Sequence, residues 1–485
     1  MKEQGSVTQR RLASHSALIF GIRAFPAAAQ IAVGIVFTRM LKPDLNGIYQ
    51  QLWMYIAILI AIACFGIPPL LLTHRSKSVN HWLLSLRPRN SVVFIAWQTF
   101  IALILILLYH SKAAISPWIL LCLFLSQAWI LLLESYLIIH QKYVVPLILS
   151  LGYALAFVGV HWAFLHKLVS YENLLWSVAL ISLFRFVMLA VYARVRYGQE
   201  TEAIRRRRIP LGVRSQWLQL GIYDISQVAF RWVDKMIISR IAGAALFSVY
   251  FVGTTDVPFM AMMLSAAGNS LLQQMAHGNS DHPSRIRLVN MSGILLARIV
   301  FPVFFFLFFF RTEIIDTIFT MKYSSAVPLF GISVLAIPLR AYNYTSVLQH
   351  LNKVKIINWG AVLDLSIACG LAIPLYYWKG LSGVAFAFMI SSYIQALFYL
   401  VNTARFLHCS VLDLLPWKHW LIMFIVFGTL GIGFHEILIR NFDMKQCLML
   451  GVAGTLIVIA AALAPVIFSK KTHGKENIPP FTPND

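Results

Sequence analysis

The chain is poor in charge. Of its 485 residues only 12% are Asp, Glu, Lys or Arg, while 59% are hydrophobic and mean hydropathy is +0.74. A water-soluble chain carries roughly 25% charge, so a soluble globular protein is excluded. Cysteine is scarce as well. Cys64, Cys122, Cys369, Cys409 and Cys447 form no CxxC pair and lie in or beside apolar runs, which gives neither a disulfide framework nor a zinc site. The 14 histidines are scattered, without the spacing that metal ligands need. No metal and no cofactor is expected. A GxxxxGK[ST] loop is missing, so the chain is not expected to hydrolyse ATP. Long polar connections are missing too: the longest outer loop, around "RTEIIDTIFTMKYSS", runs to about 15 residues. With no room for a catalytic domain and no catalytic group in view, an enzyme is not expected.

What the chain does have is apolar runs of about 20 residues, the length that crosses a bilayer core as a helix. Fourteen can be marked, at 12–38, 48–73, 91–110, 116–139, 143–165, 174–196, 214–239, 246–272, 288–310, 325–349, 356–377, 382–405, 419–439 and 446–468. Ten-residue segments alternating apolar and polar, as in a barrel, are not seen. The fold class is an all-α polytopic membrane protein. The start resembles a secretory signal, but Arg23 interrupts its apolar core and hydrophobicity resumes at once, so it reads as a retained first span.

Bases outnumber acids, 40 to 18. With fourteen spans the termini share one side. That side holds 24 of the Lys and Arg, the opposite side 10, and the remaining 6 lie inside spans. The asymmetry places both termini in the cytoplasm. The Arg205–Arg208 run holds its loop inside, helped by anionic lipid; nucleic acid is not an expected partner. The polar tail 470–485 reads as disordered.

Two stretches repeat. "VFTRMLKPDLNGIY" joins spans one and two, and "IISRIAGAALFSVY" joins spans seven and eight. Thr38-Arg39 matches Ser239-Arg240 and Tyr49 matches Tyr250, at an offset of 201. At the exits of spans four and ten, "SYLIIHQK" (135–142) and "SVLQHLNK" (346–353) share S-x-L-x4-K at an offset of 211. Six spans per half is an even number, so the halves have the same orientation, related by an axis along the membrane normal. The expected divisions are 1–200 for spans one to six, 201–408 for spans seven to twelve, 409–469 for two additional spans, and the tail 470–485.

These junctions, with "RWVDKMIISRIAG" and "MKYSSAVPLFGISVLAIPLRAYNYTSVLQHLNKVK" (321–355), carry a resemblance. Over about residues 10–470 the chain resembles the polysaccharide-biosynthesis (Wzx-like) lipid-linked oligosaccharide flippases of the multidrug/oligosaccharidyl-lipid/polysaccharide exporter superfamily. The resemblance implies two pseudo-symmetric six-helix lobes plus two C-terminal helices, a central cavity, and alternating access in the bacterial cytoplasmic membrane. It also implies an isoprenoid-diphosphate-linked oligosaccharide as substrate, membrane lipids around it, and a polysaccharide polymerase and glycosyltransferases as possible partners.

Charge inside the spans points to the site. Arg23, Arg185, Arg231, Lys235, Arg298 and Arg340 are the bases; Glu134, Asp224, Asp234, Asp256 and Asp364 are the acids. Six bases against lipid would cost roughly 15–20 kcal/mol, at about 2.5–3.5 each. They must face protein, water or the interface. Asp224 and Arg231 are seven residues apart and share a helix face. Arg23, Asp224, Arg231 and Arg340 are the candidate cavity residues, with structural ion pairs as the competing reading. Asp256 and Asp364 are candidates for ion coupling. Lys235 and Arg240 are expected to snorkel to the outer interface, Arg298 to brace the second lobe, and "FFFLFFF" (304–310) to face lipid. Pro68-Pro69, Pro258, Pro302, Pro338 and Pro374 either bend or end spans. The alternative to a flippase is a cation-coupled multidrug or metabolite exporter of the same superfamily, which should favour an anionic, aromatic pocket.

Overall fold

The computed structural model describes residues 2–73, 79–80, 88–110, 115–197, 211–255, 282–351 and 353–469, together with residues 260, 268, 271 and 275. Arg205–Arg208, Asp256, Pro258 and the tail 470–485 lie outside the described residues. Among the described residues every regular element is helical. Contacts divide the chain into two compact units, Met1–Ser248 and Val249–Asp485.

The first unit contains α1 (Lys2–Met40), α2 (Pro43–Cys64), α3 (Ile67–Leu72), α4 (Pro88–His110), α5 (Pro117–Ile139), α6 (Val144–Leu165), α7 (Tyr171–Tyr197) and α8 (Leu211–Ile241). Proline opens α2, α4 and α5, at the position where a missing N–H costs nothing. Span two is interrupted. After Cys64 the backbone turns left-handed at Phe65 and Gly66 (φ 37° and 70°), and α3 restarts with Pro68 and Pro69 in its first turn. Helix α8 packs against α2 and α3. Trp217 Nε1 donates to the Phe65 carbonyl at 2.7 Å, and the Tyr55 and Ser239 hydroxyls lie 3.0 Å apart. A Cβ on Gly66 would sit 2.4 Å from Gly221 N. Gly66→Ala should therefore cost about 2–4 kcal/mol, from left-handed strain and overpacking together. The thermal midpoint of the purified protein in detergent should drop by several degrees; an unchanged midpoint would show that α3 and α8 do not approach this closely.

Helix α9 (Ala244–Gly253) leads into the second unit. There follow α10 (His282–Phe309), α11 (Arg311–Ile314), a π turn (Ile315–Phe319), a 3-10 segment (Met321–Ala326), α12 (Val327–Val334), a second 3-10 segment (Ile337–Ala341), α13 (Ser346–His350), α14 (Val354–Lys379), α15 (Leu381–Phe406), α16 (Val411–Leu414), α17 (Trp417–Asn441) and α18 (Met444–Ser469). The chain between Val327 and His350, expected as one span, is broken into short pieces. Pro338 lies at the start of its 3-10 segment, and Tyr342 is fully extended (φ −138°, ψ 143°). Pro302 and Pro374, by contrast, sit inside continuous helices.

Twelve described segments are long and apolar enough to cross a membrane. Expected span seven is α8, 31 residues long, which lies outside that set. Of expected span eight, Ala244–Gly253 is the described helix. The chain is thus an all-helical, multi-pass membrane protein.

The phenylalanine run does not face lipid as a whole. Phe304, Phe305, Leu307 and Phe310 are buried, because α17 and α18 pack across α10. Gly428 and Gly431 bring α17 against the Phe305 and Phe309 rings, and Gly451 brings α18 against Phe306 and Phe310. In lipid there is no hydrophobic drive between helices, so small residues that admit large knobs are what bind them. Arg298 adds a tie, donating to the Ala462 carbonyl at 3.1 Å. It does brace the second unit, through α18.

The sequence repeat has a structural counterpart. Thr38 Oγ1 donates to Ile35 O at 2.6 Å and Ser239 Oγ to Met236 O at 2.8 Å, the same back-bond 201 positions apart. Tyr49 and Tyr250 are both buried. Lys142 N donates to Leu137 O at 3.0 Å and Lys353 N to Leu348 O at 2.8 Å, again equivalent at the offset of 211.

Candidate substrate site

The six bases within spans sort into distinct environments. Arg185 on α7 is buried and ion-paired with Glu134 on α5. Its Nη2 also donates to Ser150 at 2.7 Å, and its guanidinium lies 5.0 Å from the Tyr153 ring centroid. Gln127 donates to Tyr153 and Ser182 at 3.2 and 3.0 Å, so the pair sits in a polar network inside the first unit. Glu134 is therefore a buried ion-pair partner. Lys235 does not snorkel. It is largely buried and pairs with its neighbour Asp234 at 3.3 Å, because Asp234 points into the unit and draws the ammonium with it. Arg240 is exposed.

Arg23 and Arg231 differ from these. Both are exposed, and among the described residues neither forms an ion pair. Arg23 lies close enough to Glu134 for its charge to act there, but Glu134 is already held by Arg185. Asp224 is half-buried and faces Cys64 at the end of α2 rather than Arg23. No ion pair joins Arg23 to Asp224. A bare guanidinium against acyl chains costs about 2.5–3.5 kcal/mol, so the surfaces that carry Arg23 and Arg231 are suited to water or to an anion.

In the second unit, Arg340 lines a partly open cavity of about 320 Å³ with Asn343, Tyr344, Thr345, Gln395 and Tyr399. Asp364 on α14 is completely buried, and neither carboxyl oxygen has a hydrogen bond. Its polar neighbour Ser391 on α15 donates instead to the Phe388 carbonyl at 3.0 Å. Asp256, the other coupling candidate, lies outside the described residues. A second cavity, about 280 Å³ and apolar, is walled by Pro302, Phe305, Phe306, Phe310, Phe434 and Val458.

Sequence reasoning missed two groups. The buried His161 sits between the Phe157 carbonyl (2.6 Å from Nδ1) and the Tyr49 hydroxyl (2.7 Å from Nε2). A carbonyl can only accept, so Nδ1 carries the proton and Nε2 accepts from Tyr49. Glu313 and His435 pair at 3.1 Å, tying α11 to α17. Neither of these had a local sequence signal, because each partner is distant or the burial is tertiary.

No protein-family model and no curated protein matches the chain. Solved structures do. The lipid II flippase MurJ, in an inward closed conformation, superposes with a TM-score of 0.63 at 13% identity, over 94% of this chain and 100% of that one. An inward-facing multidrug resistance MATE family transporter of the MOP superfamily gives 0.53 at 12% identity, over 80% and 98%. A MOP superfamily transporter from Pyrococcus furiosus, described as having a binding pocket of reversed polarity, gives 0.52 at 11%, over 81% and 94%. The chain has the fold of these MOP-superfamily transporters.

Proposed function

We propose that the chain is a flippase of the Wzx-like type, moving an isoprenoid-diphosphate-linked oligosaccharide from the inner to the outer leaflet of the bacterial cytoplasmic membrane by alternating access, for polysaccharide biosynthesis. The observation that carries this reading is the sorting of the intramembrane bases. Arg185 and Lys235 are neutralised by acids, while Arg23 and Arg231 are exposed without an ion pair among the described residues. A diphosphate is an anion whose oxygens guanidinium groups bind through paired hydrogen bonds. The apolar cavity among α10, α17 and α18 would suit an isoprenoid chain. Both termini are cytoplasmic in this reading, the repeat boundary falls at 200/201, and glycosyltransferases and a polymerase act before and after the step.

A second reading is favoured by Asp364: cation-coupled export of a drug or metabolite on the same fold. A buried carboxylate without a charged partner is costly, and taking up a proton or a cation would relieve that cost, which is what coupling to an ion gradient requires. The two readings separate in proteoliposomes. The flippase reading expects translocation of a fluorescent isoprenoid-diphosphate-linked disaccharide above that of empty vesicles, and no export of cationic dyes. If an ion gradient drives it, Asp364→Asn should abolish the gradient's effect. Dye export without lipid translocation would reverse the choice.

A further inference from the structure

We propose that a band of exposed polar side chains on α8, made by Ser215, Gln219, Tyr223, Ser226 and Gln227, is a track for the uncharged sugars of the substrate, laid beside Arg231. It rests on the flippase reading only for how the glycan arrives; glycan binding is tested apart from it. The first argument is where the band points. Ser215, Gln219, Tyr223 and Gln227 follow one another at i, i+4, so they form one row that winds slowly around the helix. The opposite side of α8 is the one that packs on α2 and α3. There Trp217 donates to the Phe65 carbonyl at 2.7 Å, a Cβ on Gly221 would meet the Phe65 ring at 2.7 Å, and Asp224 faces Cys64. The band therefore points away from α2 and α3. An amide or hydroxyl against hydrocarbon loses hydrogen bonds that nothing replaces, and polar side chains within spans mark water-filled pathways.

The second argument is what the band offers. Between Ser215 and Phe230 the chain has a single charged residue, Asp224, and it lies on the packed side. The band itself is neutral. Amides and hydroxyls both donate and accept, which is what rings of sugar hydroxyls need. Gln219 donates to Ser215 Oγ at 3.5 Å and Ser226 to the Ile222 carbonyl at 2.7 Å. These bonds stay within the helix and leave the Gln219 carbonyl and the Ser226 oxygen as acceptors. Tyr223, 54% exposed, presents an aromatic face with a hydroxyl at its edge, which suits the C–H face of a pyranose. On this band a carboxylated sugar finds no cation between Arg214 and Arg231, and an organic cation finds no acid. The third argument is length. At about 1.5 Å per residue, Ser215 and Gln227 stand about 18 Å apart along the axis, which suits several rings in a row rather than one. Arg231, one i, i+4 step beyond Gln227, is exposed and has no ion pair among the described residues. An anion and its glycan can therefore lie on the same helix.

The test is saturation-transfer NMR on the full chain purified in detergent, with maltotetraose and methyl α-glucoside as neutral probes of four rings and one. The tetrasaccharide should bind about tenfold more tightly than the glucoside, a difference of about 1.4 kcal/mol. The double variant Gln219→Leu/Gln227→Leu should bring the two within about twofold, with an unchanged thermal midpoint. Leu218→Ala, exposed on the same helix beside the band, should leave both affinities as they are. Should the double variant fail to fold, Tyr223→Leu alone should weaken the tetrasaccharide several-fold and the glucoside less. No binding of the tetrasaccharide, binding no tighter than the glucoside, or binding unmoved by the folded variants would each overturn the track. Flipping of an isoprenoid diphosphate carrying a neutral tetrasaccharide is measured alongside. Flipping without glycan binding removes the track alone; glycan binding without flipping removes the flippase reading alone.

Discussion

Alanine at Glu134 should destabilise the first unit by about 3–5 kcal/mol, the cost of leaving a buried charge without its partner. Among the described residues Glu134 is the acid that pairs with Arg185, and both are buried. Ser150 and the Tyr153 face remain after the substitution, but neither carries negative charge. Arg185 Nε already lacks a hydrogen bond, so the network has no spare acceptor. The double variant Glu134→Leu/Arg185→Leu should recover most of the loss, since replacing a buried pair by apolar side chains is often neutral or better. The measurement is the thermal midpoint in detergent at a fixed scan rate for the two single variants and the double. A single variant as stable as wild type would mean that the pair is wet, and that the division between structural and functional bases is wrongly drawn.

That division was only half legible in the sequence. Run length located the twelve described segments that are long and apolar enough to cross a membrane, and the 201 and 211 offsets located two junctions whose hydrogen bonds repeat in the fold. The charges were equally visible, but their partners were not. Glu134 and Arg185 are 51 residues apart, and nothing local links them. For Lys235 the partner was its own neighbour, Asp234; the snorkelling expectation failed because it considered the length of the lysine and not the burial of the aspartate. The phenylalanine run misled for a different reason. A uniformly apolar run has no polar face to orient it, so its direction was set by glycines about 120 residues downstream. The signal was present in "GTLGIG" (428–433) and "GVAG" (451–454), which are small-residue patterns that invite close helix contact. The broken span was foreshadowed by Pro338, yet proline at 302 and 374 leaves helices intact. Only the tertiary setting decides between a tolerated proline and a break.

What remains exposed after the pairs are removed is Arg23 and Arg231, and translocation should depend on them. Each charge-assisted hydrogen bond to a diphosphate is worth about 1.5–3 kcal/mol, or roughly 10- to 150-fold in rate if it is realised during transfer. Reversing the charge adds repulsion to that loss. Alanine at either position should slow flipping by about tenfold or more, and glutamate at either should abolish it. Thermal stability should stay within about 1 kcal/mol of wild type, because neither side chain is ion-paired among the described residues. The decisive comparison is therefore translocation of an isoprenoid-diphosphate-linked sugar in proteoliposomes by wild type, Arg23→Glu and Arg231→Glu, at matched incorporation and confirmed folding. Loss of flipping in both variants, with folding intact, is the expected result. Flipping within twofold of wild type in both would show that these guanidinium groups do not hold the substrate.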